Sequence, residues 1–356
     1  MNFSYKIVKK SKHSKARVGK IVTSHGEIDT PCFMPVGTQG TVKTMNPRDL
    51  NEVGAQIILG NTYHLYLRPG PDLIAEAGGL HKFINWDKPI LTDSGGFQVY
   101  SLAHMRKVLE HGVEFQSHID GTRHLFTPAK VVEIQKKLGS DIMMPLDECV
   151  PYPCDKKKAE DALVKTTRWA RESLRSRHVA SLPGALFGIV QGSTYLDLRK
   201  RSAEEIAEIG FPGFGIGGLS VGEPQEQMFD MLDAVTDILP EDTPKHLMGV
   251  GYASDILGAV DRGADMFDCV IPTRLARHGS FLTLEGKRSI RLKEFEKDFT
   301  PVDPECDCYA CRTFTRAYLR HLFLAREITA MHMLTIHNIR FLVRMLEKKR
   351  AEIMGE

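Results

Sequence analysis

In the run ADMFDCVIPTRLARHG (264–279) an acid, Asp268, stands between Phe267 and Cys269 in an apolar stretch of strand type, and Arg274 and Arg277 follow in what reads as a loop. A carboxylate in such a run is costly to bury unless it has a partner or a task. Other apolar runs also end in polar groups or glycines: Asn61-Thr62, Asp93-Ser94-Gly95-Gly96, Asp147-Glu148, Gln191-Gly192, Gly217-Gly218 and Met248-Gly249. Carboxylates beside an amide and open backbone N–H groups suit a planar, purine-like ligand. One carboxylate accepts hydrogen bonds from a guanine's N1–H and exocyclic amine, while a glutamine and a backbone N–H donate to its O6. A further pair of carboxylates is what glycosidic chemistry requires. One attacks the anomeric carbon through an oxocarbenium-like state and the other moves the leaving group's proton. The sequence offers no Cys–His or Ser–His arrangement at recognisable spacing and no phosphate-cradling P-loop. These residues point to carboxylate-driven chemistry on a base or a sugar.

A second group has a different chemistry. Cys306, Cys308 and Cys311 form C-x-C-x2-C within CDCYAC, while Cys32, Cys149, Cys154 and Cys269 are scattered. An odd, clustered set of cysteines reads as a metal site in a reducing compartment rather than a disulfide framework. Three thiolates and one imidazole make a closed tetrahedral zinc site with no open position for catalysis. The fourth ligand is His337, in LTIHNIRF, or alternatively His332. The scattered cysteines read as packing residues.

The elements that must hold these groups follow from periodicity. Eight short apolar runs, CFMPVG, QIILGNT, PILTDSGG, DIMMPLDE, ALFGIVQG, GFGIGGLS, HLMGVG and MFDCVIPT, alternate with longer amphipathic stretches such as PAKVVEIQKKLG and LDLRKRSAEEIAEIG. Eight strands with interposed helices predict an α/β fold, a (β/α)8 TIM barrel whose strand ends form one mouth. A doubly wound sheet is the competing architecture, weakened by the lack of a G-x-G-x-x-G turn after the first strand. GVEFQSHIDGTRHLFT (112–127) predicts a hairpin inserted before the fourth strand, and SFLTLEGKRSIRL (280–292) a second one leading to the cysteines. RTFTRAYLRHLFLAREI (312–328) reads as one basic, aromatic helix. The reading is one elaborated domain. A barrel over 1–290 is completed by a C-terminal helix over 337–356, and a metal-binding insertion spans 291–337. With 42% hydrophobic and 26% charged residues the composition is that of a soluble globular protein. A net charge of +2 leaves any nucleic-acid affinity to local basic patches. No apolar run approaches the ~20 residues of a membrane span. The basic N-terminus lacks the apolar core of a secretory signal, so a cytoplasmic location is expected.

The motifs DSGGFQ (93–98), PLDEC (145–149), GIVQGS (188–193), GIGGLSVGE (215–223), HLMGVG (246–251), MFDCVIPTR (266–274) and CDCYAC (306–311) occur in the order seen in tRNA-guanine transglycosylases. The resemblance runs over essentially the whole chain. It implies a (β/α)8 barrel with a zinc subdomain before its last helix. It further implies that Asp268 is the nucleophile on C1′ of the target guanosine and Asp93 the general acid/base. Asp147 reads the guanine-like edge, Gln191 and the Gly218 N–H donate to the carbonyl oxygen, and the Leu219 carbonyl faces the substrate's aminomethyl group. Phe97 and Met248 sandwich the base, Cys149 lines the pocket, and Arg274 and Arg277 read flanking bases of the anticodon loop. The family spacing favours His337 as the fourth ligand of one structural Zn2+ per subunit. Phe314, Tyr318 and His321 fall where the family's homodimer contact is expected, and Arg312, Arg316 and Arg320 suit tRNA phosphates.

Val221 and Cys149 resemble the bacterial form, which inserts 7-aminomethyl-7-deazaguanine (preQ1) in place of guanine. The eukaryotic type has a smaller residue at Val221, making room for queuine. The archaeal type carries extra C-terminal domains, and this sequence stops soon after its last helix. The substrates implied are tRNAs with a GUN anticodon (those for aspartate, asparagine, histidine and tyrosine). Three positions depart from the family pattern: Ser193 where glycine is commoner, Tyr252-Ala253 in place of Thr-Pro, and His278 in place of Asn. Two rival readings are a non-catalytic RNA-binding paralogue, against which the three retained acids argue, and a barrel hydrolase of purine nucleosides. The second would need neither the flanking-base arginines nor the zinc segment.

Overall fold

The computed structural model of the protein describes residues 3–101, 106–179 and 184–356. Eight parallel strands follow the apolar runs. They are Cys32–Gly37, Ile58–Gly60, Ile90–Thr92, Ile142–Met143, the bipartite Ala185–Leu186 and Gly188–Val190, Phe214–Ile216, Lys245–Leu247 and Met266–Cys269. Neighbours in sequence pair with each other, and the eighth strand pairs with the first, Asp268 opposite Met34. The fifth run reads as one strand in the sequence but changes partner midway. Phe187 N donates to Met143 O, whereas Gly188 N donates to Gly213 O. That change closes the sheet into a barrel.

Successive side chains on a strand face opposite ways. One set, including Met34, Leu59, Leu91, Met144, Phe187, Ile189 and Met266, fills the barrel interior. The other set, including Phe33, Ile58, Phe214, Ile216, Leu247 and Phe267, packs under the helices. Each buried side chain of this size contributes about 2 kcal/mol. On the sixth strand the inward position is Gly215, where a Cβ would stand 2.6 Å from Met144 Cε. Helices Pro128–Leu138, Lys156–Val179, Leu196–Ile209, Gln225–Thr236 and Ala253–Val260 cover the outside. The first starts at Thr127, whose hydroxyl accepts from Lys130 N, and stops at Gly139 in the left-handed conformation.

Both expected hairpins are present. The first belongs to a three-stranded antiparallel sheet, Arg106–Leu109, Gly112–Gln116 and Arg123–Phe126. The second joins Ser280–Thr283 to Gly286–Ser289. Two expectations are corrected. Arg274 and Arg277 lie not in a loop but on the helix Ile271–Arg277, nucleated by Pro272 in its first turn and the Arg274 N–H to Val270 O bond at 2.9 Å. The basic aromatic stretch is two helices, Tyr309–Thr313 and Arg316–Leu324, because Thr315 accepts from Tyr318 N and caps a new start. The last helix, Ile328–Gly355, packs along the Ile271–Arg277 helix, the second hairpin and the Arg316–Leu324 helix.

An N-terminal sheet, Ser4–Lys10, Arg17–Thr23 and Gly26–Thr30, plugs the end of the barrel where the strands begin, with Ile21 and Ile28 joining the interior cluster. Two buried carboxylates bolt it down. Asp265 accepts from Arg17 Nε at 2.9 Å and Nη2 at 2.6 Å, from Lys245 N at 2.8 Å and from Tyr5 Oη at 3.1 Å. Asp141 pairs with His25 Nδ1 at 2.7 Å and His81 Nε2 at 3.1 Å, and accepts from Ile90 N at 2.9 Å. Burial would raise the Asp141 carboxyl, but the His81, His25 and Ile90 hydrogen bonds outweigh it and hold it below the usual range. A carboxyl titrating lower in the folded state stabilises above its unfolded pKa and ceases to do so as pH falls through its folded one. Asp141→Asn is therefore expected to cost about 2–3 kcal/mol near neutral pH. That deficit should shrink below about pH 4, which denaturant titrations at the two pH values measure.

Candidate active site and metal centre

At the opposite end the strand termini bring Asp93, Asp147, Gln191, Gly218 and Asp268 to one mouth. Asp93 Oδ1 accepts from Thr62 N at 2.9 Å and Gly95 N at 3.1 Å, and its Oδ2 accepts from Asn61 Nδ2 at 2.7 Å. Burial, opposed by the two backbone N–H groups and reinforced by the charges of Asp268 and Asp147, pushes this carboxyl up to about 7. It can hold or release a proton near neutrality.

Asp147 is buried more deeply. Its Oδ1 accepts from Ser94 Oγ at 2.9 Å and its Oδ2 from Gln191 Nε2 at 2.8 Å, while burial raises its carboxyl. The second Nε2 hydrogen of Gln191 is left for a ligand, and its Oε1 is buried without a partner. Gly218 follows with φ 64°, and a Cβ there would stand 2.3 Å from Gln191 Oε1, so only glycine admits the amide. Beyond it, Glu223 accepts from Val221 N at 3.0 Å and from Ser220 N, holding the turn that carries Leu219 and Val221. Cys149 is buried and its thiol is pushed up to about 12 by burial and by Asp147. Phe97 stands at the rim with half its surface exposed, and Met248 is half-buried beyond the seventh strand.

Asp268 closes the mouth. Its Oδ1 lies 2.7 Å from His246 Nε2 and accepts from Gly249 N at 3.1 Å. Among the described residues no donor reaches Oδ2. Arg274 is exposed and Arg277 Nε donates to Thr273 O at 3.2 Å, and among the described residues neither forms an ion pair with an acid of the mouth. Of the arginines expected at RNA phosphates, Arg316 is engaged by Asp298 and the Val302 carbonyl and Arg320 by Leu292 O, while Arg312 stands exposed.

Two residues of this site escape the sequence reading. His246 lies two positions before Met248 and opposite Met266, so strand alternation turns it inward beside Asp268. Arg199, on the amphipathic helix Leu196–Ile209, is fully buried. It donates to Ser193 O at 2.6 Å and Gly217 O at 2.7 Å and so ties the fifth and sixth strand ends together. Its spacing with Ser202, Ala203 and Ile206, all buried, is the signal that could have found it. The departures also acquire a local account. Ser193 sits at φ 52°, the left-handed region that favours glycine. Tyr252 precedes the Ala253–Val260 helix without capping it through its side chain, the role a threonine would fill. His278 Nδ1 bonds Arg274 O at 2.8 Å, ending its helix.

The second centre lies where the Tyr309–Thr313 turn meets the last helix. Cys306, Cys308, Cys311 and His337 are all buried and place their ligand atoms within 4.8 Å of one another. His337 Nδ1 faces Cys311 Sγ at 3.3 Å, and Nε2 bonds Leu282 O at 2.9 Å, which fixes the tautomer a metal needs. Hydrogen bonds from Cys308 and Cys311 hold the Cys306 thiol below its usual range. His332 is engaged by Asp49 at 2.9 Å and is not the fourth ligand. The set fits a structural Zn2+, which supplies cross-linking and no chemistry.

A closed barrel with acids at the carboxyl ends of its strands and a separate thiolate zinc centre is the outline of a barrel enzyme acting on a base or sugar. A family model described as Queuine tRNA-ribosyltransferase matches residues 11–356. The chain is 56% identical to a queuine tRNA-ribosyltransferase of Desulforamulus reducens over 353 residues, 99% of this chain and 95% of that one. It is likewise 56% identical to one of Thermoanaerobacter pseudethanolicus over 349 residues, covering 98% and 93%. The chain belongs to the queuine tRNA-ribosyltransferase family. Replacing Cys308 by Ser is expected to lower bound zinc from one equivalent to under about a tenth, read by elemental analysis, and to lower the melting temperature.

Proposed function

We propose that the protein is a tRNA-guanine transglycosylase that exchanges guanine at the first anticodon position of GUN tRNAs for preQ1, by double displacement. The observation that carries this reading is the division of labour among three acids at one mouth. Asp268 has one oxygen fixed and one open, Asp93 titrates near neutrality, and Asp147 is aligned by Ser94 and Gln191.

In this scheme Asp268 Oδ2 attacks C1′ of the target nucleotide. The C1′–N bond breaks with its electron pair leaving on guanine, which takes the Asp93 proton. The incoming base then gives its proton to Asp93 and displaces the Asp268 carboxylate. Two inversions leave the sugar configuration unchanged. Asp147, the free Nε2 hydrogen of Gln191 and the Gly218 N–H read the edge of the base. Leu219 O faces the aminomethyl group, and Phe97 and Met248 cover the two faces of the ring. Val221 limits the pocket to the smaller precursor, which argues for preQ1 over queuine. Arg274 and Arg277, together on one helix beside the mouth, suit splayed anticodon-loop bases.

The zinc-bearing segment 291–337 serves as a subdomain for homodimer contact. Its support is an aromatic ladder in which half-buried Phe314 stacks on exposed Tyr318 at 5.4 Å and meets exposed Tyr309 edge-on at 5.8 Å. The setting is the cytoplasm, where tRNA is available; among the described residues no helix is long and apolar enough to cross a membrane.

Incubation with a GUN tRNA and preQ1 or queuine, followed by nucleoside mass spectrometry, is expected to give preQ1 incorporation alone. Queuine incorporation would overturn the Val221 argument, and tRNA binding without exchange would favour the non-catalytic paralogue. Asp268→Asn should lower exchange by at least about a thousandfold while binding tRNA within about threefold of the unaltered protein. Formation of the covalent tRNA adduct needs protonated Asp93, so its single-turnover rate should fall tenfold per unit as pH rises above about 7. In Asp93→Asn that limb should vanish along with most of the activity.

A further inference from the structure

His246 is the only side chain bonded to Asp268 among the described residues, and its surroundings are unusual for a histidine. It is fully buried on the inner face of the seventh strand, between the apolar barrel interior below and the open mouth above. Its Nε2 lies 2.7 Å from Asp268 Oδ1, whereas its Nδ1 is buried without any hydrogen-bond partner. With a carboxylate oxygen beside Nε2 and no acceptor beside Nδ1, Nε2–H is the group that this imidazole directs at Asp268, and Oδ1 accepts from it. The Gly249 N–H donates to the same oxygen at 3.1 Å. Both donors thus converge on Oδ1.

We infer that His246 is a positioning residue for Asp268, holding Oδ1 so that Oδ2 forms the bond to C1′ and favouring release of the carboxylate in the second displacement. This rests on the transglycosylase reading. When Oδ2 bonds to C1′, Oδ1 becomes a neutral ester carbonyl. When the incoming base nitrogen bonds to C1′, the Oδ2–C1′ pair returns to the carboxylate and Oδ1 regains half of its charge. Hydrogen bonds to a charged acceptor are roughly twice as strong as those to a neutral one. The two donors therefore stabilise the free carboxylate relative to the ester, and with it the transition state in which that charge develops. His246 hastens breakdown of the covalent adduct and keeps it from accumulating.

The test uses the full zinc-loaded chain, with His246→Leu, His246→Gln and Asp268→Asn beside the unaltered protein. Each is assayed for kcat and KM toward tRNA and for the fraction of chain held as a tRNA adduct on denaturing gels during turnover. The Leu variant should lose about 30- to 100-fold in kcat, its adduct fraction should rise, and its KM toward tRNA should fall as the adduct accumulates. The Gln variant, which keeps an N–H donor at similar reach, should recover part of kcat and lower the adduct fraction again, and it guards against misfolding of the Leu variant. Unchanged kcat and adduct fraction in both variants would overturn the inference. A loss of kcat accompanied by an equal loss of adduct would also overturn it. If the unaltered protein itself gives neither exchange nor adduct, the transglycosylase reading fails instead. Asp268→Asn, which must give no adduct, calibrates the gel.

Discussion

Charge placed in a low-dielectric interior has to be met by donors, and the two ends of this barrel meet that demand differently. At the end where the strands begin, Asp265 and Asp141 are surrounded by guanidinium, imidazole and backbone N–H groups, and they work as bolts. At the end where the strands finish, Asp93, Asp147 and Asp268 are only partly supplied. What the folded chain leaves unsupplied there is the capacity a substrate completes. The same residue type is fully satisfied at one end and partly open at the other, where reactive roles are proposed, and the donor inventory makes the difference.

The mouth keeps its shape because backbone segments that would otherwise be independent are tied to buried polar side chains. Arg199 draws the fifth and sixth strand ends together with no acid of its own, and burial lowers its guanidinium to about 10. On the far side, Asn338 donates to Pro272 O and Ser280 O and accepts from Leu282 N. It adjoins His337 of the metal centre. The helix that follows Asp268 is thereby fastened to the element that carries a zinc ligand, so the metal steadies the site's border from a distance.

Much of this was legible in the residues. The eight apolar runs, both hairpins, the cysteine cluster and the acids at the strand ends follow from period and spacing, because those features are local. What escaped depends on contacts made far along the chain. The fifth run looks like one strand, and only the closing of the ring reveals that it serves two neighbours at once. Arg199 carries the same letter as the solvated arginines around it, and its burial comes from the Ser193 and Gly217 carbonyls. Thr315 could have continued a helix; its hydroxyl caps one instead. His246 reads equally as a core histidine until the pairing of the seventh and eighth strands sets Asp268 beside it. The choice between His332 and His337 rests on whether Asp49 or the thiols lie within reach, which spacing leaves open.

The pairing of Met266–Cys269 with Cys32–Gly37 has a consequence for how the protein comes into being. The ring cannot shut until its final strand has left the ribosome, and the stretch that fastens the neighbouring helix, around Asn338, emerges later still. Through most of synthesis the chain is an open curl of strands with unpaired edges, held by long-range contacts that form last. The residue proposed as nucleophile sits on the very segment that completes the circle. Reactivity is thus withheld from every shorter nascent chain, and an incompletely made copy has no assembled mouth with which to engage RNA.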